Sequence, residues 1–232
     1  MIAVEWCPVP GVRALCTTRS IDLGRTMVDD RRRLVAAAGL PSEPRWLRQV
    51  HGTHVVDADK VHGAEPEADA AISGVPGTVC AVLTADCLPV LLAATDGSAV
   101  GAAHAGWRGL ASGVIENTVS ALHRLAPGAS LVSFLGPAIS VPHFEVGPEV
   151  RDEFLAGHPD AAVAFRPGRG DRWYCDLQAL ARQRLAALGI SDVSGGDLCT
   201  YADEGRFFSY RRDVQHRGLA STGRMASLIW RT

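Results

Sequence analysis

The middle of the chain is built from apolar runs too short for helices and too continuous for one-sided strands. Val79–Leu83, Val90–Ala93 and Ala99–Ala103 are four or five residues each, punctuated by Pro89 and Asp96-Gly97. A strand that is apolar on both faces needs cover on both faces, so such a chain must stack layers above and below a central sheet. The longest largely apolar stretches, Val79–Ala85 and Leu88–Ala94, are interrupted by Asp86 and Cys87. Neither approaches the ~20 residues of a membrane span.

Helical signals flank this centre. Met27–Ala38 reads as a helix closed by Gly39 and Pro41. A second runs from about Ser112, its expected cap, to His123, with Ile115, Val119 and Leu122 on one face. A third covers Leu177–Leu188, with Asp176 as N-cap, Gly189 as stop, and a stripe of Leu177, Leu180, Ala181, Leu185 and Leu188. Further strands are expected at Trp46–Gln49 and His54–Asp57 around a turn at Gly52, at Leu131–Leu135, and at Phe207–Tyr210 and Ser227–Trp230. A polar loop, Lys60–Asp69, lies between the early strands and the centre. Strands and helices alternate irregularly, which predicts a mixed α/β (α+β) sandwich, and no linker divides the 232 residues, so 1–232 reads as a single domain.

A formal net charge of −2 leaves no field to hold a polyanion, so neither nucleic acid nor an anionic membrane is an expected partner. The N-terminus shows no basic segment followed by an apolar one, and the six cysteines, at 7, 16, 80, 87, 175 and 199, include no C-x-x-C pair. These features predict a cytoplasmic protein with reduced thiols. No heptads mark an interface, and a monomer is the expectation.

Three segments place a metal-ligating residue at the end of an expected strand, beside Gly or Pro: Arg48-Gln49-Val50-His51-Gly52, Ala85-Asp86-Cys87-Leu88-Pro89, and His104-Ala105-Gly106-Trp107-Arg108-Gly109. Two imidazoles and a thiolate from His51, Cys87 and His104 suit Zn²⁺ in an open site with a fourth position for water or substrate. Spacing alone leaves the alternative of core histidines and a buried small hydrophobe at Cys87 open. His54, His62, His123 and His158 read as ordinary polar histidines, and His54 falls on the opposite strand face from His51.

These segments, in this order, resemble the YfiH-type family, also called laccase-domain or multicopper polyphenol oxidase proteins. The resemblance continues through Gly136-Pro137-Ala138-Ile139, Phe144-Glu145-Val146-Gly147, Asp176-Leu177, Cys199-Thr200, Phe207–Asp213 and Thr222–Ser227, nearly the whole chain. It implies an α/β/β/α-type sandwich with mixed sheets (CNF/YfiH-like) and a catalytic zinc on His51, Cys87 and His104. It also implies phosphorolysis of adenosine, inosine, guanosine or methylthioadenosine, with adenosine deaminase activity associated. Three places depart from the family pattern: a short Ser20–Gly24 segment, Ser140–His143 where members often carry cysteine, and Val214–Ser221, which reads as an insertion.

For phosphorolysis, Arg48 and Arg108 are candidates to clamp phosphate with their forked guanidinium groups. Asp86 is a candidate for acid–base work on the purine or for orienting a ligand histidine. Arg211, Arg212 and Arg224 either close over the site or, the favoured reading, pair with carboxylates such as Asp203, Glu204 and Asp213. A copper-dependent polyphenol oxidase is the first rival. It is disfavoured because laccases need His-x-His pairs, and none of the eight histidines forms one. A cysteine hydrolase with Cys87 as nucleophile and His104 as base is the second. A peptidoglycan-editing factor acting on a cell-wall precursor is the third.

Overall fold

The computed structural model of the chain describes residues 1–24 and 26–232. In chain order these form β1 (Ile2–Trp6), β2 (Val12–Thr17), α1 (Val28–Ala38), β3 (Val55–Asp57), β4 (Ala70–Ser73), β5 (Val79–Thr84), β6 (Leu88–Ala94), β7 (Val100–Ala105), α2 (Trp107–Ser112), α3 (Val114–Leu125), β8 (Leu131–Leu135), β9 (Glu145–Val146), α4 (Pro148–Gly157), β10 (Phe165–Pro167), β11 (Trp173–Cys175), α5 (Leu177–Ala187), β12 (Val193–Gly195) and β13 (Met225–Arg231).

The mixed α/β class follows from how three cores separate four layers. A six-stranded sheet has the order β12-β8-β6-β7-β4-β3, and a four-stranded sheet the order β1-β2-β13-β5. Along β6, Leu88, Val90, Leu92 and Ala94 face α3 and α5, packing with Ile115, Leu122, Leu180 and Leu185. The alternate residues Leu91 and Ala93 face the other sheet and meet Ala14, Val82 and Ile229. This is the period-two division expected of a strand buried on both sides. On the far face of the smaller sheet, Leu15, Ala81 and Leu228 pack beneath Leu34 of α1. Helices, sheet, sheet and helix therefore stack in that order, an α/β/β/α sandwich. A small third sheet, β10-β11-β9, lies beside the helices.

Several local expectations hold. Asp176 caps α5 by accepting from the Ala179 N–H at 2.8 Å, and Gly39 closes α1 in the left-handed conformation. Others do not. Trp46–Gln49 makes a single isolated bridge, Arg48 to Glu67, next to one from Arg45 to Cys80, so it borders the sheets without joining one. Ser112 ends α2; Gly113, at φ +97°, breaks the helix there and becomes the residue from which α3 starts. Phe207–Tyr210 is no strand. The Phe207 N–H bonds the Asp203 carbonyl and the Ser209 N–H bonds the Asp213 carboxylate, and the chain then enters a π-helical turn at Arg211–His216.

The topology gathers three distant points. β6 and β7 are antiparallel, with Leu88 opposite Ala105. The end of β7 thus lies at the start of β6, next to the turn that carries Cys87. β4 pairs antiparallel with β7 on its other side, Ala70 opposite Ala103, so residue 69 also arrives at that end.

Candidate metal centre

At this end of the larger sheet, His51, Cys87 and His104 bring one donor atom each within 4.8 Å of one another. His51 Nε2 lies 3.8 Å from Cys87 Sγ, and the His51 and His104 rings meet edge to face with centroids 4.8 Å apart. A tetrahedral ion with Zn–N and Zn–S bonds of ordinary length separates N and S by about 3.6 Å, so the donor set and its spacing fit a metal. His104 is buried, Cys87 half-buried and His51 exposed, which makes His51 the side open to solvent.

Each motif residue around the ligands has a physical task. The Gln49 side chain pairs with Leu83 of β5 as another strand would, accepting from its N–H at 2.7 Å and donating to its carbonyl at 2.8 Å. This ties the His51 loop to the strand that leads to Cys87. Gly106 lies behind all three ligands. A Cβ there would meet Cys87 Sγ and the His51 ring at 3.0 Å, and the His104 ring at 3.6 Å. At Gly109 a Cβ would lie 2.8 Å from the Gly52 carbonyl, so α2 rests directly on the ligand loop.

Only two non-glycine residues among those described have positive φ, His51 at +62° and Asp86 at +97°. One belongs to the His–Cys–His cluster and the other precedes a member of it, and backbone strain of this kind concentrates at functional sites. Both are held by carboxylates. Fully buried Asp69 accepts the N–H groups of Val50, His51 and Gly52 at 3.2, 2.9 and 2.7 Å, and its Oδ1 lies 2.8 Å from His104 Nδ1. Asp86 accepts from the Thr200 hydroxyl at 2.6 Å, the Ser209 hydroxyl at 3.0 Å and the Arg211 N–H at 2.7 Å.

The electrostatics favour a thiolate. Burial pushes the Cys87 thiol up, but His104 and His51 outweigh it and bring the pKa down to about 6. Burial pushes the His104 imidazole down, but the Cys87 sulfur and the Asp69 carboxylate outweigh it and raise it to about 9. Asp69 stays below the ordinary carboxylate range. Its burial is offset by the hydrogen bonds from His104 and the loop N–H groups.

The cluster opens into a cavity of about 900 Å³, whose lining includes Arg48, Asp86, Trp107, Arg108, Phe144, Tyr210 and Arg211. The sequence-derived candidates are thus gathered around one space. They differ in engagement. Arg48 is ion-paired with Glu67. Arg108, exposed on α2, lies over the Trp107 ring at 4.4 Å and has no ion pair among the described residues. Arg211 departs from the pairing expected for the late arginines. Its Nη1 donates to the Glu145 carbonyl at 2.7 Å, and its guanidinium lies 5.4 Å from the Phe144 ring centroid. Burial lowers its pKa, against the pull of Asp86. Arg212 does pair, with Asp213 at 2.9 Å, both buried. His54 points elsewhere, its Nδ1 on the Glu67 carbonyl at 2.9 Å.

Asp69, Phe144 and Tyr210 were not singled out as site residues from the sequence. Asp69 stands last in a polar loop with no motif of its own; its signal is position, one residue before a strand that pairs with the His104 strand.

The chain is similar to known proteins along nearly its whole length. A family model described as multi-copper polyphenol oxidoreductase laccase matches residues 16–232. The chain is 46% identical over 247 residues to the purine nucleoside phosphorylase YfiH of Escherichia coli (strain K12), covering 99% of this chain and 98% of that one. It is 45% identical over 258 residues to a purine nucleoside phosphorylase of Xylella fastidiosa (strain Temecula1), covering 99% and 96%. A crystal structure of a Neisseria meningitidis protein superposes with a TM-score of 0.89 at 42% identity, covering 99% of this chain and 98% of the other.

Proposed function

The chain belongs to the multi-copper polyphenol oxidoreductase laccase family, and within it we propose that the protein is a zinc-dependent purine nucleoside phosphorylase. The observation that carries this reading is the convergence of His51, Cys87 and His104 on one wall of an open cavity roomy enough for a nucleoside and phosphate together. The names of the relatives in Escherichia coli and Xylella supply the reaction class.

In this reaction a phosphate oxygen bonds to C1′ of the ribose as the C1′–N9 bond breaks. The bonding pair leaves with the purine, which takes up a proton. The products are the free base and ribose 1-phosphate. Zinc, when bound by His51, Cys87 and His104, supplies a Lewis acid that orients a phosphate oxygen or a water. Arg108, with no ion pair among the described residues, is the stronger phosphate clamp; Arg48 serves the same anion by exchanging Glu67 for it. Arg211 and Phe144 offer a flat cationic and aromatic surface on which a purine stacks. Asp86 lines the same cavity and is the residue assigned to acid–base work on the purine.

The test is metal and product analysis together. Protein purified without added metal is expected to carry zinc, and less than about half an equivalent counts against the site. Incubated with inosine, it is expected to release hypoxanthine only when phosphate is present; with adenosine, adenine reports phosphorolysis and inosine reports deamination. Cys87→Ala is expected to lose metal and turnover together while keeping the fold. Retained phosphorolysis in that variant refutes the assignment. Dioxygen uptake with a phenol would support copper oxidation instead. Turnover that survives chelator but not alkylation would support a cysteine hydrolase, and turnover confined to nucleotide-linked cell-wall precursors would support peptidoglycan editing.

A further inference from the structure

We propose that Asp69 is the positioning residue of this centre: one carboxylate that fixes which nitrogen His104 presents and the backbone turn that presents His51. The inference rests on reading His51, Cys87 and His104 as metal ligands, and it does not depend on which reaction follows.

The geometry is specific. Asp69 is 0% exposed and ends the loop before β4, where the His104 N–H donates to its backbone carbonyl at 2.7 Å. The backbone of the two residues is thus locked by the sheet before any side chain is considered. The carboxylate then divides its two oxygens. Oδ1 faces His104 Nδ1 at 2.8 Å and the His51 N–H at 2.9 Å; Oδ2 takes the Gly52 N–H at 2.7 Å and the Val50 N–H at 3.2 Å. Three consecutive N–H groups curled around one anion form a nest, and a residue in the left-handed region at its centre is what curls them. His51 is that residue, at φ +62°. Replacing the carboxylate by an amide turns one oxygen into a donor facing donors.

The same anion selects the tautomer of His104. A carboxylate already accepting three N–H groups can only accept from the imidazole, so Nδ1 carries a proton and Nε2 is the nitrogen left for a metal. Nε2 is then the ligand atom, supported from behind in the manner of a carboxylate–histidine–metal relay. Asp69 reaches two of the three proposed ligands, His51 and His104, from behind, and does not itself line the cavity.

The experiment measures zinc affinity of the full chain by competition with a chromophoric chelator, alongside ¹⁵N spectra of the zinc-loaded wild type. Asp69→Asn is expected to weaken zinc binding by roughly 10- to 100-fold. Asp59→Asn, which removes a carboxylate accepting from Ser73 and Gly74 at the other end of β4, is expected to leave affinity unchanged. The wild-type spectrum is expected to show His104 protonated at Nδ1 and coordinated at Nε2. Undiminished affinity in Asp69→Asn, equal losses in both variants, or coordination of His104 through Nδ1 would each overturn the proposal. If Asp69→Asn fails to fold, the wild-type spectrum still decides it. Absence of zinc binding by the wild type would instead overturn the reading of the three residues as ligands.

Discussion

Gly106→Ala offers a quantitative probe of the cluster, because the change adds one methyl group at a place where three ligands meet. Gly106 adopts φ −60° and ψ 157°, a conformation open to every residue, so the backbone loses nothing. The cost is steric. The new Cβ would lie 3.0 Å from Cys87 Sγ and 3.0 Å from the His51 ring, where ordinary contacts to carbon and sulfur begin well beyond that distance. Overpacking of this kind costs ~1–3 kcal/mol. In metal-free protein, exposed His51 swings away and relieves most of it. In the metal-loaded state the ligands are held together and the strain is retained. Most of the penalty therefore falls on binding, and at about 1.4 kcal/mol per factor of ten it lowers metal affinity by at most about 5- to 140-fold. Chelator competition measures the affinity, and thermal unfolding of the metal-free variant checks that its stability stays close to wild type. Wild-type affinity in Gly106→Ala would refute the claim that the three ligands converge against this backbone atom.

Two other outcomes follow from the structure. With the Cys87 pKa brought down to about 6 and that of Cys16 pushed up to about 12, chelator-treated protein is expected to alkylate at Cys87 with a half-maximal rate near pH 6, falling as the pH drops below it, while Cys16 stays unmodified at neutral pH; a midpoint at the ordinary thiol value, read by peptide mass mapping across pH, would contradict the electrostatic picture. Asp176→Ala removes the side-chain cap of α5 and is expected to cost ~1 kcal/mol, about 2–4 °C in Tm for a chain of this size, with metal affinity unchanged; a calorimetric scan checks the first and chelator titration the second.

The parts of the fold that were legible were those with local physical signatures. The largely apolar runs of β5, β6 and β8 announce burial on both sides, and Asp176 and Gly189 bracket α5 within two residues of its observed ends. β4 was illegible because Ala70 and Ala71 carry no branched or aromatic side chain; it is a strand because β7 and β3 pair with it. Phe207 and Phe208 imitate a strand by composition, yet Phe207 plugs the core while its neighbours spend their N–H groups on Asp203 and Asp213. At the site, His51, Cys87 and His104 were readable because only a few residue types ligate metals and each sits in a distinctive Gly- or Pro-bearing motif. Asp69 was not, because its partners are backbone N–H groups, which leave no trace in residue identity.

The smaller sheet is ordered β1-β2-β13-β5, so Met225–Arg231 lies between β2 and β5, strands made before residue 85. During synthesis β2 and β5 must wait, edges unpaired, until nearly every other element has emerged. A chain stopped before residue 225 would have a sheet split down its centre. Nonsense or frameshift lesions late in the coding sequence are therefore expected to behave as complete losses, with the truncated product prone to aggregate through those two open edges.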